Sequence, residues 1–254
     1  MAERNYRLTV AYDGVAYSGF QIQADCPTIQ GELEKALAAL TGQFVRVHGA
    51  GRTDAGVHAQ GQVISFQAEW RHPLEDLQRG MNALLPRDIA VRDAEWAPEG
   101  FHARYSAVSR EYLYNLYIAP IREPLMDRYA HRLASAPAWE AMEQAAAMLV
   151  REGDFAAFGQ ATAGQSTTRT VWQAGWRARS LPWALEQPVE MREFAIVANG
   201  FLRGMVRRIV GTLIDVGLGA LDPEEFGQIL QERDIRRASP PAPACGLVLW
   251  RVNY

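Results

Sequence analysis

The sequence predicts an α+β fold with a largely antiparallel sheet, arranged as two similar halves of a 254-residue chain. Strand-like segments place apolar residues at every second position, and helical segments place them three or four positions apart. Strands, hairpins and helices follow one another in mixed order, which is typical of α+β proteins. Hydrophobic residues make up 48% of the chain, as in globular proteins with a sizeable core.

The first half is predicted to follow a β-α-β-α-β plan over about 100 residues, the size of a small domain. Thr28 has the side chain of a helix N-cap, and the residues after it are apolar at helical spacing. The predicted elements are a strand at Tyr6–Tyr12, a helix after Thr28, a strand at Gln62–Gln67, a helix at Pro73–Leu84 and a strand at Ile89–Trp96.

The second half is predicted to repeat this plan loosely. It comprises a strand at Glu111–Ile118, a helix at Pro137–Val150, an irregular stretch at Gly159–Thr168, a hairpin of Val171–Arg179 and Met191–Asn199 around Pro182 and Pro188, helices at Phe201–Val216 and Pro223–Gln231, and a strand at Gly246–Val252. We place the boundary near residue 105, with an N-terminal αβ domain at 1–105 and a C-terminal αβ domain at 106–254. Two similar halves that face each other leave a cleft, where binding sites often occur.

Composition and charge narrow the classes of function. The net charge is −3, but the basic residues are 25 arginines and a single lysine, and several arginines cluster. Arginine binds phosphate and base edges well, so RNA stays open as a partner, although codon usage in a GC-rich genome also gives this bias. No apolar run is long enough to cross a membrane, and no signal segment precedes the first strand. The two cysteines, Cys26 and Cys245, lack metal-ligand spacing, and we expect a reduced cytoplasmic protein.

The most informative segment is the glycine-rich loop at 49–59, Gly-Ala-Gly-Arg-Thr-Asp-Ala-Gly-Val-His-Ala. Glycines let a ligand approach the backbone closely, and Asp54 is the carboxylate among these small residues, two positions after Arg52. Asp54 is therefore the leading candidate for a nucleophile or base; the alternative is an ordinary turn with a capping aspartate. The loop has neither the spacing of a phosphate-binding loop nor that of a dinucleotide-binding turn.

Other side chains are candidates for supporting roles. A buried Asp54 needs a cation to stay ionised, and Arg203 and Arg207 are expected to share one face of the Phe201–Val216 helix. Arg52 contacts phosphate, enters an opened base stack or forms a salt bridge within the turn. Tyr112 and Tyr114 lie on one face of their strand, where one stacks on a flat base or both belong to the core.

The histidines give no metal site. His58 follows the loop and is a possible acid–base partner, but the five histidines are scattered and no paired motif accompanies them. We therefore predict no bound metal.

Ordered motifs along nearly the whole chain resemble those of the tRNA pseudouridine synthase A family. They are Leu-Thr-Val-Ala-Tyr-Asp-Gly-Val-Ala-Tyr-Ser-Gly-Phe-Gln from 8, Pro-Thr-Ile-Gln-Gly-Glu-Leu-Glu from 27, Gly-Arg-Thr-Asp-Ala-Gly-Val-His-Ala from 51, Phe-His-Ala-Arg-Tyr-Ser-Ala from 101, Arg-Glu-Tyr-Leu-Tyr from 110, Asp-Phe-Ala-Ala-Phe from 154, Met-Val-Arg-Arg-Ile-Val-Gly from 205 and Gly-Leu-Val-Leu-Trp-Arg-Val from 246.

The resemblance implies a role for each candidate residue. Asp54 is then the essential aspartate, Arg52 enters the RNA stack as the target is flipped out, and Tyr112 stacks on the uracil. Arg207 pairs with Asp54, and Leu247 lines the pocket. It also implies two ferredoxin-like (RRM-like) halves whose sheets join into one extended sheet with a central cleft, a homodimer, no cofactor, and uridines 38, 39 and 40 of the tRNA anticodon stem-loop as substrate.

Four positions depart from the family pattern. Gly159 replaces a usual arginine, Gly164 replaces a common cysteine, and Arg203-Gly204 replaces a frequent histidine pair. These changes concern the expected RNA surface and not the catalytic residues.

Three functions are open to a chain with these features: an RNA-modifying isomerase, a non-catalytic RNA-binding protein, and a hydrolase with Asp54 as nucleophile. The isomerase is favoured by the resemblance, and the hydrolase lacks the second carboxylate that glycoside hydrolysis usually needs. The sequence leaves open whether Asp54 adds to C1′ of the ribose, adds to C6 of uracil or removes a proton from C2′.

Overall fold

A computed structural model describes residues 3–162, 164–179 and 189–254 of the chain. Its strands are β1 Arg4–Tyr12, β2 His48–Gly49, β3 His58–Ala68, β4 Ile89–Trp96, β5 Ser109–Ile118, β6 His131–Leu133, β7 Glu152–Asp154, β8 Thr168–Arg179, β9 Glu190–Ala198 and β10 Leu247–Asn253. Its helices are α1 Ile29–Thr41, α2 Leu74–Leu84, α3 Pro124–Asp127, α4 Trp139–Ala147, α5 Met205–Gly217 and α6 Pro223–Glu232. The strands pair mostly antiparallel, so the predicted α+β class is confirmed.

The chain forms two compact units. Unit 1 contains residues 1–108 together with 248–254, and unit 2 contains residues 109–247. Strand β10, apart from its first residue, therefore belongs to the N-terminal unit. Unit 1 is thus built from two separate stretches of the chain.

In unit 1, β1 is the central strand and pairs antiparallel with both β3 and β4. The opposite edge of β3 pairs antiparallel with β2 and parallel with β10. Tyr6 and Leu8 of β1 have no exposed surface, and Tyr6 stacks on Phe66 of β3 with ring centroids 5.1 Å apart. This rigid sheet supports the glycine-rich loop between β2 and β3.

Helix α1 shows why the local sequence predicted an element well. The hydroxyl oxygen of Thr28 accepts a hydrogen bond from the Gly31 N–H at 3.2 Å, as an N-cap does. The helix ends at Gly42, whose φ of +74° is the left-handed conformation that glycine adopts without a steric penalty. Leu33 and Leu37 form its fully buried stripe.

In unit 2, β9 pairs antiparallel with β5 on one side and with β8 on the other, and β7 extends the sheet beyond β8. The hairpin strands predicted at Val171–Arg179 and Met191–Asn199 are thus confirmed, whereas Pro182 and Pro188 lie outside the described residues. Helix α4 packs on β8, where Trp139 meets Trp176 with ring centroids 5.7 Å apart.

The predicted helix at Phe201–Val216 begins too early. Helix α5 begins at Met205, and Gly204 before it has a left-handed φ of +71°. The Arg203 backbone N–H donates to the Gln160 carbonyl at 3.1 Å in an isolated β-bridge. Because this bridge holds Arg203 outside the helix, the expectation that Arg203 and Arg207 share a helical face is wrong.

Candidate active site

The loop that carries Asp54 leaves the short strand β2 and returns as β3. At its start, the Ala50 N–H donates to the Val63 carbonyl at 2.8 Å. Both backbone groups of Gly51 pair with the side chain of Gln62: its Nε2 donates to the Gly51 carbonyl at 2.8 Å, and its Oε1 accepts from the Gly51 N–H at 3.3 Å. Gln62 is fully buried, so its amide takes the place of a peptide group beside the loop.

Thr53 anchors the middle of the loop to the sheet. Its side chain is buried, and its hydroxyl lies 2.8 Å from the Tyr12 hydroxyl. Its carbonyl accepts a hydrogen bond from the Phe20 N–H at 3.0 Å. Burial raises the pKa of Tyr12 to about 12, so this hydroxyl stays protonated near neutral pH. Gln62 Nε2 also donates to the Tyr12 hydroxyl oxygen at 3.4 Å.

Arg52 and Asp54 flank this anchored threonine. Arg52 is exposed, Thr53 is buried and Asp54 is half-buried, as expected where successive side chains point in alternating directions. The chain then turns, because the Val57 N–H donates to the Asp54 carbonyl at 3.2 Å. Gly56 occupies the third position of that turn with a φ of +76°, where a glycine is strongly favoured.

The segment from Asp13 to Phe20 supports the loop through close backbone contact. A Cβ atom on Gly14 would lie 2.0 Å from the Val57 carbonyl oxygen. Gly19 has a φ of +99°, and a Cβ there would lie 2.7 Å from the Thr53 carbonyl oxygen. Both glycines are therefore required for the segment to lie against the loop.

His58 is buried and helps to hold this segment. It is 4% exposed, and its Nδ1 accepts a hydrogen bond from the Gly14 N–H at 3.2 Å. The same nitrogen lies 3.2 Å from Asp13 Oδ1, to which it donates when the imidazole is protonated. These contacts favour a structural role for His58 over the acid–base role that its place in the sequence suggested.

Tyr112 and Tyr114 lie on one face of β5 in unit 2, as predicted. Tyr112 is 7% exposed and meets Phe201 edge-on, with ring centroids 5.1 Å apart. Tyr114 is fully buried, and its hydroxyl donates to the Pro243 carbonyl at 2.8 Å. Tyr114 is thus a core residue, which leaves Tyr112 as the tyrosine with exposed surface on this face.

Arg207 lies on the first turn of α5 and binds the chain segment that leads to β10. Its Nε donates to the Ala242 carbonyl at 2.7 Å, and its own carbonyl accepts from the Ala242 N–H at 2.8 Å. The same segment crosses Tyr114, where a Cβ on Gly246 would lie 2.7 Å from the tyrosine ring. Unit 2 therefore brings together Arg207, Tyr114 and the residues just before Leu247.

Leu247 is the first residue of β10 and is 6% exposed. The next residue, Val248, pairs in register with His58 at the end of the glycine-rich loop. Leu247 is therefore the last residue of unit 2, directly before the part of β10 that pairs with β3.

The sequence was compared with known proteins. A family model described as tRNA pseudouridine synthase matches residues 8–106 and 145–254. The chain belongs to this family. The matched segments contain Arg52, Asp54, Arg207 and Leu247, whereas Tyr112 lies between them.

Curated relatives of similar length carry the name tRNA pseudouridine synthase A. One from Bacillus velezensis is 41% identical over 98% of both chains. One from Chloroflexus aurantiacus is 44% identical over 99% of this chain and 89% of its own, and one from Bacillus subtilis is 40% identical over 98% of both. As a member of the tRNA pseudouridine synthase family, the chain is an isomerase that converts uridine to pseudouridine in tRNA.

Within residues 3–162, 164–179 and 189–254, no group of three or more His, Cys, Asp or Glu side chains has a metal-binding arrangement. In the same ranges, no helix has the length and apolar character that crossing a membrane requires.

The departures from the family pattern have local structural reasons. A Cβ on Gly159 would lie 2.7 Å from the Leu202 Cβ and 2.9 Å from the Arg203 carbonyl oxygen, so this backbone leaves no room for the usual arginine. Gly164 and Gly204 both have positive φ, at +79° and +71°. Glycine at these three positions therefore fits the backbone conformation of this chain.

The sequence analysis missed the residues that hold the glycine-rich loop in place by hydrogen bonds. Tyr12, Phe20 and Gln62 make the hydrogen bonds described above. Tyr12 and Phe20 do belong to the opening motif of the family, which was the one available signal. Nothing local connected that motif with the loop 40 residues later.

Proposed function

We propose that the protein isomerises uridine to pseudouridine at positions 38, 39 and 40 in the anticodon stem-loop of tRNA, with Asp54 as the essential residue. The observation that carries the proposal is the loop geometry: Thr53 is buried and hydrogen-bonded to Tyr12, while Arg52 and Asp54 on either side of it remain accessible. A rigid loop that presents one carboxylate and one arginine suits a reaction that must meet a large substrate closely.

The reaction requires that the N1–C1′ bond of uridine breaks, the base turns and a C5–C1′ bond forms. N1 gains a proton and C5 loses one, so the overall change is an isomerisation. In this proposal Asp54 acts at C1′, at C6 or at the C2′ proton, three routes that share the same balance. A uridine inside a helix is out of reach, and the nucleotide must be flipped out first.

Four further residues are assigned around Asp54. Arg52, beside it on the exposed side of the loop, enters the RNA stack and fills the space of the flipped nucleotide. Tyr112 stacks on the uracil and Leu247 lines its pocket. The guanidinium of Arg207 pairs with Asp54; its Nε bond to Ala242 supports this assignment, because it fixes the orientation of the planar group.

The proposal includes the two domains that the sequence pattern indicates, at 1–105 and 106–254. It also includes the architecture that the family resemblance implies, two ferredoxin-like halves whose sheets join into one extended sheet with a central cleft. In unit 1 the chain order is strand-helix-strand-strand-helix-strand, and the strands lie side by side as β4-β1-β3-β2, which supports it. A homodimer and a cytoplasmic location also belong to the proposal.

The test measures tritium release from anticodon stem-loop transcripts that carry 5-³H-uridine at 38, 39 or 40 only, with the wild type and Asp54→Asn. Wild type should release tritium from all three RNAs, and Asp54→Asn should reduce the rate at least 10³-fold because a nucleophile or base is lost, while tRNA affinity stays within about threefold. Asp93→Asn is the matched control, because Asp93 is an exposed carboxylate on β4 of the same unit. Full turnover by Asp54→Asn contradicts the catalytic assignment, and release only from uridines elsewhere contradicts the positions.

A further inference from the structure

Three aromatic side chains lie against one another on the surface of unit 1, with neighbouring rings tilted by 37° and 39°, in a place to which the proposed reaction assigns no role. His48 lies beside His102 with ring centroids 4.9 Å apart, and His102 lies beside Tyr105 with centroids 4.5 Å apart. His48 is exposed, and Tyr105 is 73% exposed, so the Tyr105 ring contributes little to the core. We refer to His48, His102 and Tyr105 as the aromatic platform.

The backbone under the platform is held firmly. The Ala103 N–H donates to the buried Ser65 hydroxyl of β3 at 3.0 Å, and the Ala103 carbonyl accepts from the Tyr254 hydroxyl at 2.8 Å. The His102 Nδ1 accepts from the Arg104 N–H at 3.1 Å, which fixes the imidazole ring. An exposed aromatic group presented this rigidly loses little conformational entropy when a ligand stacks on it.

The charge of the platform suits a flat, neutral ligand beside a phosphate. Burial, with a smaller effect of His48, lowers the pKa of His102, so this ring is uncharged near neutral pH. The guanidinium carbon of Arg104 lies 5.7 Å from the centroid of the Tyr105 ring, which places a cation at the edge of the platform. An exposed aromatic ring with an adjacent arginine is a common means of binding an unpaired nucleobase.

The platform is close to the catalytic loop along the chain. His48 belongs to β2, which leads directly into the loop, and Asp54 is six residues further on. Six residues span at most about 22 Å, which corresponds to roughly six nucleotide steps of a stacked strand at about 3.4 Å each. A base on the platform therefore belongs to the same stem-loop as the uridine at Asp54.

We propose that the aromatic platform stacks on an unpaired base of the tRNA anticodon loop other than the target uridine. This inference rests on the proposed function, because it takes the anticodon stem-loop as the bound RNA. The platform positions the RNA strand while Asp54 acts on a neighbouring nucleotide.

The experiment measures the dissociation constant of an anticodon stem-loop transcript for the wild type, Tyr105→Ala and Tyr105→Phe at several salt concentrations. Loss of one base stack should weaken binding by Tyr105→Ala about 5- to 150-fold. Tyr105→Phe keeps the ring and should stay within about twofold of wild type. Trp172→Ala is the control, since Trp172 is an aromatic residue that is 49% exposed on β8 of the other unit, and it should bind like wild type.

Two further readouts identify the stacked base. The slope of log Kd against log salt should not change in Tyr105→Ala, because a ring makes no ion pair with phosphate. Abasic substitution at one unpaired loop position should weaken wild-type binding but add nothing to the effect of Tyr105→Ala. Unchanged binding by Tyr105→Ala, an equal loss in Tyr105→Phe, or additive effects at every abasic position would overturn the proposal.

Mapping of pseudouridine in the same RNA separates this inference from the proposed function. Wild-type turnover at 38–40 together with unchanged binding by Tyr105→Ala overturns the platform alone. If one abasic substitution adds nothing to the effect of Tyr105→Ala but no pseudouridine forms at 38–40, the assigned target positions are wrong and the role of the platform stands.

Discussion

Replacement of Gln62 by methionine tests whether the glycine-rich loop must be fixed for catalysis. The Gln62 amide pairs with both backbone groups of Gly51, at 2.8 and 3.3 Å, and approaches Tyr12 at 3.4 Å. Methionine has a similar length and adapts to irregular spaces, so Gln62→Met removes the hydrogen bonds with little loss of packing.

The magnitude follows from the bonds that are lost. Each buried hydrogen bond contributes about 1 kcal/mol net, and the 3.4 Å contact contributes less. Because Gly51 is only half-buried, water can rehydrate part of its backbone, and we expect a total loss of about 2 kcal/mol in the free energy of unfolding. For a chain of this size, that loss lowers the melting temperature by about 4–8 °C. Asp54 lies three residues beyond Gly51, and a displacement near 1 Å reduces kcat about 100-fold.

The assay combines urea unfolding, tRNA affinity and tritium release. We expect Gln62→Met to lose kcat while its tRNA affinity stays within about threefold, because phosphate contacts dominate affinity. Gln67→Met is the matched control, since Gln67 is exposed on the same strand and should change none of these values. A Gln62→Met protein that is destabilised by about 2 kcal/mol but keeps wild-type kcat would refute the reasoning that this pairing positions Asp54.

Two further predictions concern unit 2. Arg233 has a left-handed φ of +59°, so Arg233→Gly should unfold with a free energy about 1 kcal/mol higher than Arg233→Ala. Both variants lose the 3.6 Å ion pair with Asp154, and equal urea midpoints would contradict the strain argument. Burial lowers the pKa of the His131 imidazole in the folded protein. Below about pH 6.5 the unfolded chain therefore takes up a proton that the folded protein does not, and the free energy of unfolding decreases as the pH is lowered. His131→Gln should therefore lose less unfolding free energy than wild type between pH 7.5 and 5.0, and identical losses in urea titrations would count against this account.

The elements that the sequence predicted well are those whose signals are local. Thr28 and Gly42 delimit α1 by their own capping chemistry, and the alternation of β5 places Tyr112 and Tyr114 on one face. The start of α5 was missed because the apolar pattern continues back through Phe201 and Leu202. The turn at Gly204 follows the β-bridge between Arg203 and Gln160, two residues that lie 43 positions apart along the chain.

In the candidate site, too, local features were predictable from the sequence and long-range contacts were not. The position of Asp54 in a glycine-rich loop is visible in the sequence, and the family resemblance supplied its expected role. Gln62 gave no signal, because a glutamine within a strand normally indicates a solvent-facing position, yet here it is fully buried. Its partner Gly51 lies 11 residues away, and only the folded β2–β3 arrangement brings them together.

The return of β10 to unit 1 has a consequence for how the protein is made. Unit 2 comprises 139 residues, which the ribosome adds in about 7–28 s. During that time β3 already exists, but its edge near His58 lacks the strand that later pairs with it. An unpaired edge invites pairing with other chains, so unit 1 stays vulnerable until unit 2 has been synthesised. The pairing of β3 with β10 beside His58 therefore forms only after unit 2 has been synthesised.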